Sequence, residues 1–350
     1  MQFDKDQFKT AVDAVTPYAA KTSPLQILQF VKMESDGKTV TMTASRADAQ
    51  IQYQFENPGE KFSFCIDAGA LRRFAQFCAD DVFMVVKEKR VTLNFGDTTT
   101  RLNVLPGNEF PVMERAQNAL TEMDWAPLAE KIAAVEPFCM PNASMPQTSC
   151  VQIRSTGTAL EVFAMTQANL VFESVPHIAP EFGLCIPRET ARQMVGDFKS
   201  MTIRDEQIEL RGDNAIALFR VSPHKPVNAR AVIDRPLPNA GTIKRESMLG
   251  AINFAASFSD AGKVRPVIKI EAGDDDKAIR LVGLQNEAAA PFDYAGDPFT
   301  VGAYPDDFAA FLKSLTESEL KLEFDQKNLA RAPLRLTAGS RIICTSPVKV

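Results

Sequence analysis

Apolar residues recur along the chain at helical spacing in six short windows, each flanked by alternating apolar and polar runs. The windows place Phe8, Val12 and Val15 on one helix face, then Leu71, Phe74 and Phe77, then Leu128, Ile132 and Val135. The fourth, in "PRETARQMVGDF", sets Ala191, Met194, Val195 and Phe198 on a stripe; the fifth holds Met248, Ile252 and Ala255, and the sixth Phe308, Phe311, Leu312 and Leu315. Asp67 is placed as an N-cap for the second helix, and Pro127 and Pro187 suit the first turns of the third and fourth. Equivalent helix positions recur at a pitch of about 60 residues, nested in one of about 120, the mark of a repeated structural unit.

The runs between the helices share a grammar. An extended stretch leads into a helix ("FSFCID", "FGLCIP", "PFTVGAYP"), and hairpin patterns follow it, as in "QFVKMES", Asp36-Gly37, "KTVTMTAS", then "AQIQYQF". "VFMVVKEKRVTLNF" before Gly96-Asp97, and "MTIRDEQIELRG" before "NAIALFRV", repeat it. Each half-unit therefore reads β-α-β-β-β. Two halves give an α+β domain with two helices on one side of two antiparallel sheets. "LPGNEFPVM" at 105–113, with two prolines around a glycine and nothing reactive, falls where the first pair of halves ends, at a domain exit.

At 350 residues, two or three domains are expected on size alone. The 39 basic and 44 acidic residues leave a formal charge of −5, which argues against a dedicated nucleic-acid grip without excluding a basic face. The opening "MQFDKDQFK" is too charged for a signal peptide, and no run approaches the roughly 20 apolar residues of a membrane span, so a cytoplasmic protein with no membrane partner is expected. Cys65, Cys78, Cys139, Cys150, Cys185 and Cys344 are scattered, with two histidines, His177 and His224, and read as core thiols rather than metal ligands or disulfides. No nucleophile-base pattern, phosphate loop or dinucleotide fingerprint occurs, so neither catalysis nor a cofactor is expected. Asp274-Asp275-Asp276 reads as a solvated hairpin tip.

Several stretches, in order, resemble the bacterial DNA polymerase sliding clamp (beta clamp) family. "TSPLQIL" at Thr22–Leu28 is similar to the family's Thr-x-Pro-Ile-Leu, and "KTVTMTASRADAQI" to its next strand pair. "LPGNEFP" resembles the Leu-Pro-x-x-x-Phe-Pro that ends its first domain, "CIPRETARQMV" its Val-Pro-Arg/Lys helix start, and "SPVKV" at Ser346–Val350 its Met-Pro-Met-Arg-Leu terminus. The family's Thr-Asp-Gly-His-Arg-Leu appears as "MTQANL" (Met165–Leu170) and its Phe-Pro-Asp-Tyr as "PVNA" (Pro226–Ala229), departures that fit a distant member such as one carried by a bacteriophage.

The resemblance implies three tandem DNA-clamp domains, 1–116, 117–234 and 235–350, with helices on the inner face of a ring and sheets outside. Two chains would close head to tail around double-stranded DNA and tether a DNA polymerase, loaded by a clamp loader. The DNA-facing positions it implies are Lys9, Lys21, Arg72, Arg73, Lys131, Gln147, Arg188, Arg192, Lys199, Lys244, Arg245 and Lys313. Arg188, Arg192 and Lys199 would form one helical stripe; acids such as Asp13, Glu130, Glu136, Asp197, Asp306 and Asp307 share these helices, so binding should be weak and salt-sensitive. The implied partner-peptide pocket is Thr148, Met165, Leu170, Val232, Cys344, Pro347 and Val348, with Ile153 and Leu160 as nearby core. Ala168 and Asn169, standing where the family has His-Arg, give a less polar rim. Leu102 and Phe258 are implied at the seam between copies, with plain core the competing reading of Phe258. A binding module of the same fold that sequesters a replication partner without encircling DNA is the alternative.

Overall fold

In the computed structural model, which describes residues 1–140, 144–194, 196–257, 266–273, 277–329 and 331–348, one element order recurs six times. The first repeat is β1 (Gln2–Phe3), α1 (Lys5–Val15), β2 (Phe30–Ser35), β3 (Thr39–Ser45) and β4 (Ala49–Glu56). The second is β5 (Phe62–Asp67), α2 (Ala68–Phe77), β6 (Val82–Lys87), β7 (Arg90–Phe95) and β8 (Thr98–Pro106). The third is β9 (Ala119–Asp124), α3 (Trp125–Val135), β10 (Cys150–Ser155), β11 (Ala159–Met165) and β12 (Asn169–Pro176). The fourth is β13 (Gly183–Pro187), α4 (Arg188–Ala191), β14 (Ser200–Arg204), β15 (Gln207–Arg211) and β16 (Ala215–Arg220), followed by a single turn, α5 (Arg230–Ile233). The fifth is β17 (Asn239–Lys244), α6 (Arg245–Ala256), β18 (Ile268–Ala272), β19 (Ala278–Val282) and β20 (Glu287–Asp293). The sixth is β21 (Phe299–Ala303), α7 (Pro305–Ser314), β22 (Glu319–Phe324), β23 (Leu334–Ala338) and β24 (Arg341–Thr345). The β-α-β-β-β grammar read from the sequence is the grammar of the fold.

The chain forms two compact units, Met1–Glu130 with Ile186–Pro223, and Lys131–Cys185 with His224–Val350. The first carries a 12-stranded sheet in the order β1-β6-β7-β8-β5-β2-β3-β4-β16-β15-β14-β9, and the second one in the order β13-β10-β11-β12-β24-β23-β22-β17-β20-β19-β18-β21. The last strands of four repeats join in antiparallel pairs, β4 with β16 and β12 with β24. The expected hairpins form in register: Ser35 opposes Val40, Lys87 opposes Arg90, Phe95 opposes Thr98 and Arg204 opposes Gln207.

Helix faces follow the apolar spacing where the helices form. Asp4 and Asp67 accept hydrogen bonds from the Gln7 and Ala70 amides at 2.9 and 2.7 Å, capping α1 and α2. The predicted apolar residues of α1, α3, α6 and α7 are buried. Phe77 is a correction: it is 75% exposed. It lies six residues beyond Leu71, about 600° of helical turn, and so points away from the face of Leu71, Phe74 and Ala75.

The fourth helix is the second correction. It stops at Ala191 after one turn, and the amides of Gln193 and Met194 fold back to the carbonyls of Thr190 and Ala191. Gly196, at φ +141°, turns the chain towards β14, and the Gln193 carbonyl accepts the Tyr18 hydroxyl at 2.8 Å. Met194 and Phe198 are still buried, as the core of a turn. Val195 and the Asp274–Asp276 run lie outside the described residues.

The 105–113 stretch is a strap bound to the first sheet. Gly107 is buried where an added Cβ would fall 2.1 Å from Ser63 Oγ, so only glycine allows this approach. Gln50 Oε1 accepts the Met113 amide at 2.7 Å, Gln207 Oε1 the Ala116 amide at 2.9 Å, and Arg115 forks onto the buried Glu209 carboxylate. Arg204 and Arg211 also donate to Glu209. Burial alone would raise this carboxyl, but the hydrogen bonds and charges of Arg115 and Arg211 together outweigh it and hold it below the ordinary 4.5. Glu323 is held down the same way by Arg335 and Lys321.

Both shifts have the same sign for stability. A carboxyl with a lowered folded pKa adds stability that is fully present above its unfolded value and is lost as pH falls through the folded value. The urea midpoint is therefore expected to hold steady at neutral pH and to fall below pH 4.5. Glu209→Gln should flatten part of that fall; an identical acid profile in the variant would contradict this role.

Candidate functional site

In the second unit, β11, β12 and β24 lie side by side, with Leu170 opposite Cys344 and Asn169 opposite Thr345. Their ends, the Met165–Asn169 turn and α5 border a shallow groove of about 80 Å³. Its lining is Met165, Thr166, Gln167, Ala168, Asn169, Leu170, Val232, Pro333, Cys344, Thr345 and Ser346, none of them charged. The turn holds itself: Thr166 Oγ1 accepts the amides of Ala168 and Asn169 at 3.2 and 2.9 Å, and the Ala168 carbonyl accepts the Ser346 amide at 2.7 Å.

Beneath the groove, Phe163, Leu170, Phe172, Ala229, Ile233 and Cys344 form one apolar cluster, with Met165 packed against it. Burial pushes the Cys344 thiol up to about 12, so it is a neutral floor rather than a nucleophile. Asn169 is fully engaged: its Nδ2 donates to Asp307 at 2.7 Å, and its Oδ1 accepts the Thr345 hydroxyl at 2.7 Å. The rim therefore offers a ligand apolar surface, backbone and small polar groups, arranged to take one or two apolar side chains of an extended segment.

Of the seven expected pocket residues, the fold brings Met165, Leu170, Val232 and Cys344 together on this lining. Thr148 is placed elsewhere, buried in a turn where its hydroxyl donates to the Met145 carbonyl at 2.7 Å. Pro347 and Val348 follow the lining residue Ser346, but Val348 runs beside β21, its amide donating to the Gly302 carbonyl at 2.9 Å. Thr166, Gln167, Pro333, Thr345 and Ser346 were missed, although Thr345 follows from the cross-strand register with Asn169. Ile153 and Leu160 are core, as expected.

Lys9, Lys21, Arg72, Arg73, Lys244 and Lys313 are exposed. Others are engaged by acids: Lys131 lies 3.4 Å from the buried Glu173, Arg192 lies 3.4 Å from Glu189, and Arg245 pairs with Glu246 and donates to the Glu317 carbonyl. Lys199 pairs with Asp213, a hydrogen bond that raises its pKa. Arg188 is half-buried, and Gln147, also half-buried, lends its backbone carbonyl to Gln152 Nε2. The stripe of Arg188, Arg192 and Lys199 does not exist, because α4 ends at Ala191 and Lys199 stands at the entrance to β14.

Leu102 is half-buried on β8, opposite Val91. Only Val104–Pro106 of that strand pair with β5; Thr98–Asn103 pair with β7 alone among the described residues. In β20, residues 287–291 likewise pair with β19 alone. Phe258 lies outside the described residues, as do Lys349 and Val350.

No protein-family model matches the sequence, and no curated protein matches it either. Solved structures do. The DNA polymerase III subunit beta from Pseudomonas aeruginosa superposes with a TM-score of 0.90 at 14% identity, covering 100% of both chains. The beta subunit from DNA polymerase of Streptococcus pyogenes gives 0.88 at 16% identity, covering 100% of this chain and 99% of that one. The Helicobacter pylori beta clamp bound to DNA ligase peptide gives 0.87 at 11% identity, with the same coverage. At such identities the likeness is one of fold, and over its whole length this chain has the fold of the bacterial DNA polymerase III beta sliding clamps.

Proposed function

We propose that this chain is a DNA sliding clamp: two copies close head to tail around double-stranded DNA and tether a DNA polymerase to it in the cytoplasm, after placement by a clamp loader. The six repeats group by pairs into domains at 1–116, 117–234 and 235–350. The observation that carries the reading is an unfinished pattern of strand pairing. Last strands join β4 with β16 and β12 with β24, which leaves β8 and β20 as the remaining pair. Among the described residues each has an edge free over most of its length, and unpaired edges invite a strand from another chain. A β8 edge joined to the β20 edge of a second copy repeats the two existing junctions, with Arg101 on one side and Glu287 on the other; such head-to-tail contacts close into a ring when their rotation permits, and the proposed assembly is the ring of two.

Holding by enclosure needs no tight grip, and a chain with a formal charge of −5 that still exposes a few cations suits it. Exposed Lys9, Lys21, Arg72, Arg73, Lys244 and Lys313 supply phosphate contacts that carry no sequence information and exchange readily along the duplex. The groove of Met165, Leu170, Val232 and Cys344 serves as the peptide site for partner proteins, in the way short linear motifs seat a few apolar anchors.

The test is topological. Loaded on a nicked circular plasmid by its clamp loader, the chain is expected to co-elute with the circle and to be lost when the plasmid is linearised. Equal behaviour on both forms overturns the reading. The engagement of Lys131, Arg192, Lys199 and Arg245 by acids favours a second reading, a module that takes partner peptides without encircling DNA. It is the one supported if the chain is never retained on circles but still binds a fluorescein-labelled DNA ligase peptide of the kind seen with the Helicobacter pylori clamp.

A further inference from the structure

The wall that α5 gives the groove is one turn of helix, too short to be stable alone, and guanidinium groups fasten it at both ends. At its start Arg230 Nε donates to Glu161 Oε1 at 2.6 Å, its Nη1 reaches Asp234 at 3.3 Å, and the guanidinium lies 5.2 Å over the Phe172 ring. At its end Arg335 donates to the Ile233 carbonyl while its Nε is held by Glu323 at 2.9 Å. Glu161 is 0% exposed, and its second oxygen has no hydrogen-bond partner among the described residues. Arg154 and Ser174 stand opposite it on the flanking strands, yet Arg154 donates to Asn228 instead.

A buried carboxylate with a single cationic partner makes a directional demand: the partner must stay in place or the charge is stranded. The apolar contacts of Ala229 and Ile233 bind α5 without fixing its angle, because hydrophobic burial is non-directional. Val232, two residues beyond Arg230, is aimed into the groove by whatever fixes that angle.

We propose that Glu161 and Arg230 are positioning residues for the groove: neither lines it, and their pairing holds Val232 where an apolar ligand side chain meets it. The proposal rests on reading the groove as a peptide site. Loosening the pair lowers the fraction of molecules with the wall in place, and the apparent affinity falls by that fraction.

The test compares the full chain with Glu161→Gln and, as a control, Glu209→Gln, which removes a buried carboxylate from the other unit. Hydrogen exchange is followed at the amides of Val232, Ile233 and Asp234, which bond back to Ala229 and Arg230. Affinity is read by anisotropy of the labelled ligase peptide. Glu161→Gln is expected to speed exchange at those amides and to weaken the peptide about tenfold. Glu209→Gln should lower stability without either change. Should Glu161→Gln fail to fold, the double replacement Glu161→Met with Arg230→Met, which removes both charges, is expected to give the same two changes. Wild type failing to take the peptide overturns the groove reading; wild type binding while both α5 exchange and affinity are unchanged in the variant, or change equally in the control, overturns this proposal alone.

Discussion

Glu173→Ala is expected to cost about 3–5 kcal/mol, a large part of the roughly 5–15 kcal/mol that holds a domain folded. The Glu173 side chain is 1% exposed and draws Lys131, Arg341 and Ser340 onto one carboxylate. Lys131 comes from α3 and Arg341 from β24, and Arg341 also donates to the Ser314 carbonyl at the end of α7. Removing the carboxylate takes away a buried charge shared by two cations that are only 19% and 16% exposed. Guanidinium unfolding of the variant measures the loss. Glu189→Ala, which removes an exposed partner of Arg192, should shift stability by no more than about 0.5 kcal/mol. A Glu173 cost as small as the Glu189 one would refute the assignment.

Leu102→Asp is expected to convert a two-chain assembly into single chains. The side chain sits in the Thr98–Asn103 part of β8, the stretch that the proposed ring joins to β20 of a second copy. In the proposed ring an aspartate there places a charge in the seam, at about 2–4 kcal/mol, the size of a central interface residue. Light scattering over a dilution series reads the mass, with wild type at twice the single-chain value at micromolar concentration. A wild type that stays single, or a variant as dimeric as wild type, removes the support for ring closure. Folding of the separate chain should change far less, since β8 keeps its pairing with β7.

Much of this was legible along the chain because the signals are local. Caps such as Asp67, turns such as Asp36-Gly37 and the apolar faces of α1, α3, α6 and α7 depend on neighbours a few residues away. The misreadings arose where a local pattern had two structural meanings. Ala191, Met194 and Phe198 are buried as predicted, but Gly196 makes their segment a turn. Phe77 has the spacing of a core residue from Phe74 but not from Leu71, and the second relation decided its exposure. Lys131 looked like any solvent-facing helix cation; nothing near it in sequence announces Glu173, 42 positions on, as its partner.

The groove shows the same division. Leu170 and Val232 could be chosen by resemblance, while Pro333, Thr345 and Ser346 enter through the register of β12 with β24 and through the seating of α5. By itself the sequence determined the repeat and its β-α-β-β-β order, because periodicity, capping and turn chemistry act over a few residues. Only the tertiary structure decided which cations are bound by acids, which strand edges stay open and which side chains meet at the groove. Those depend on pairing between segments tens to hundreds of residues apart, and composition and spacing carry no record of it.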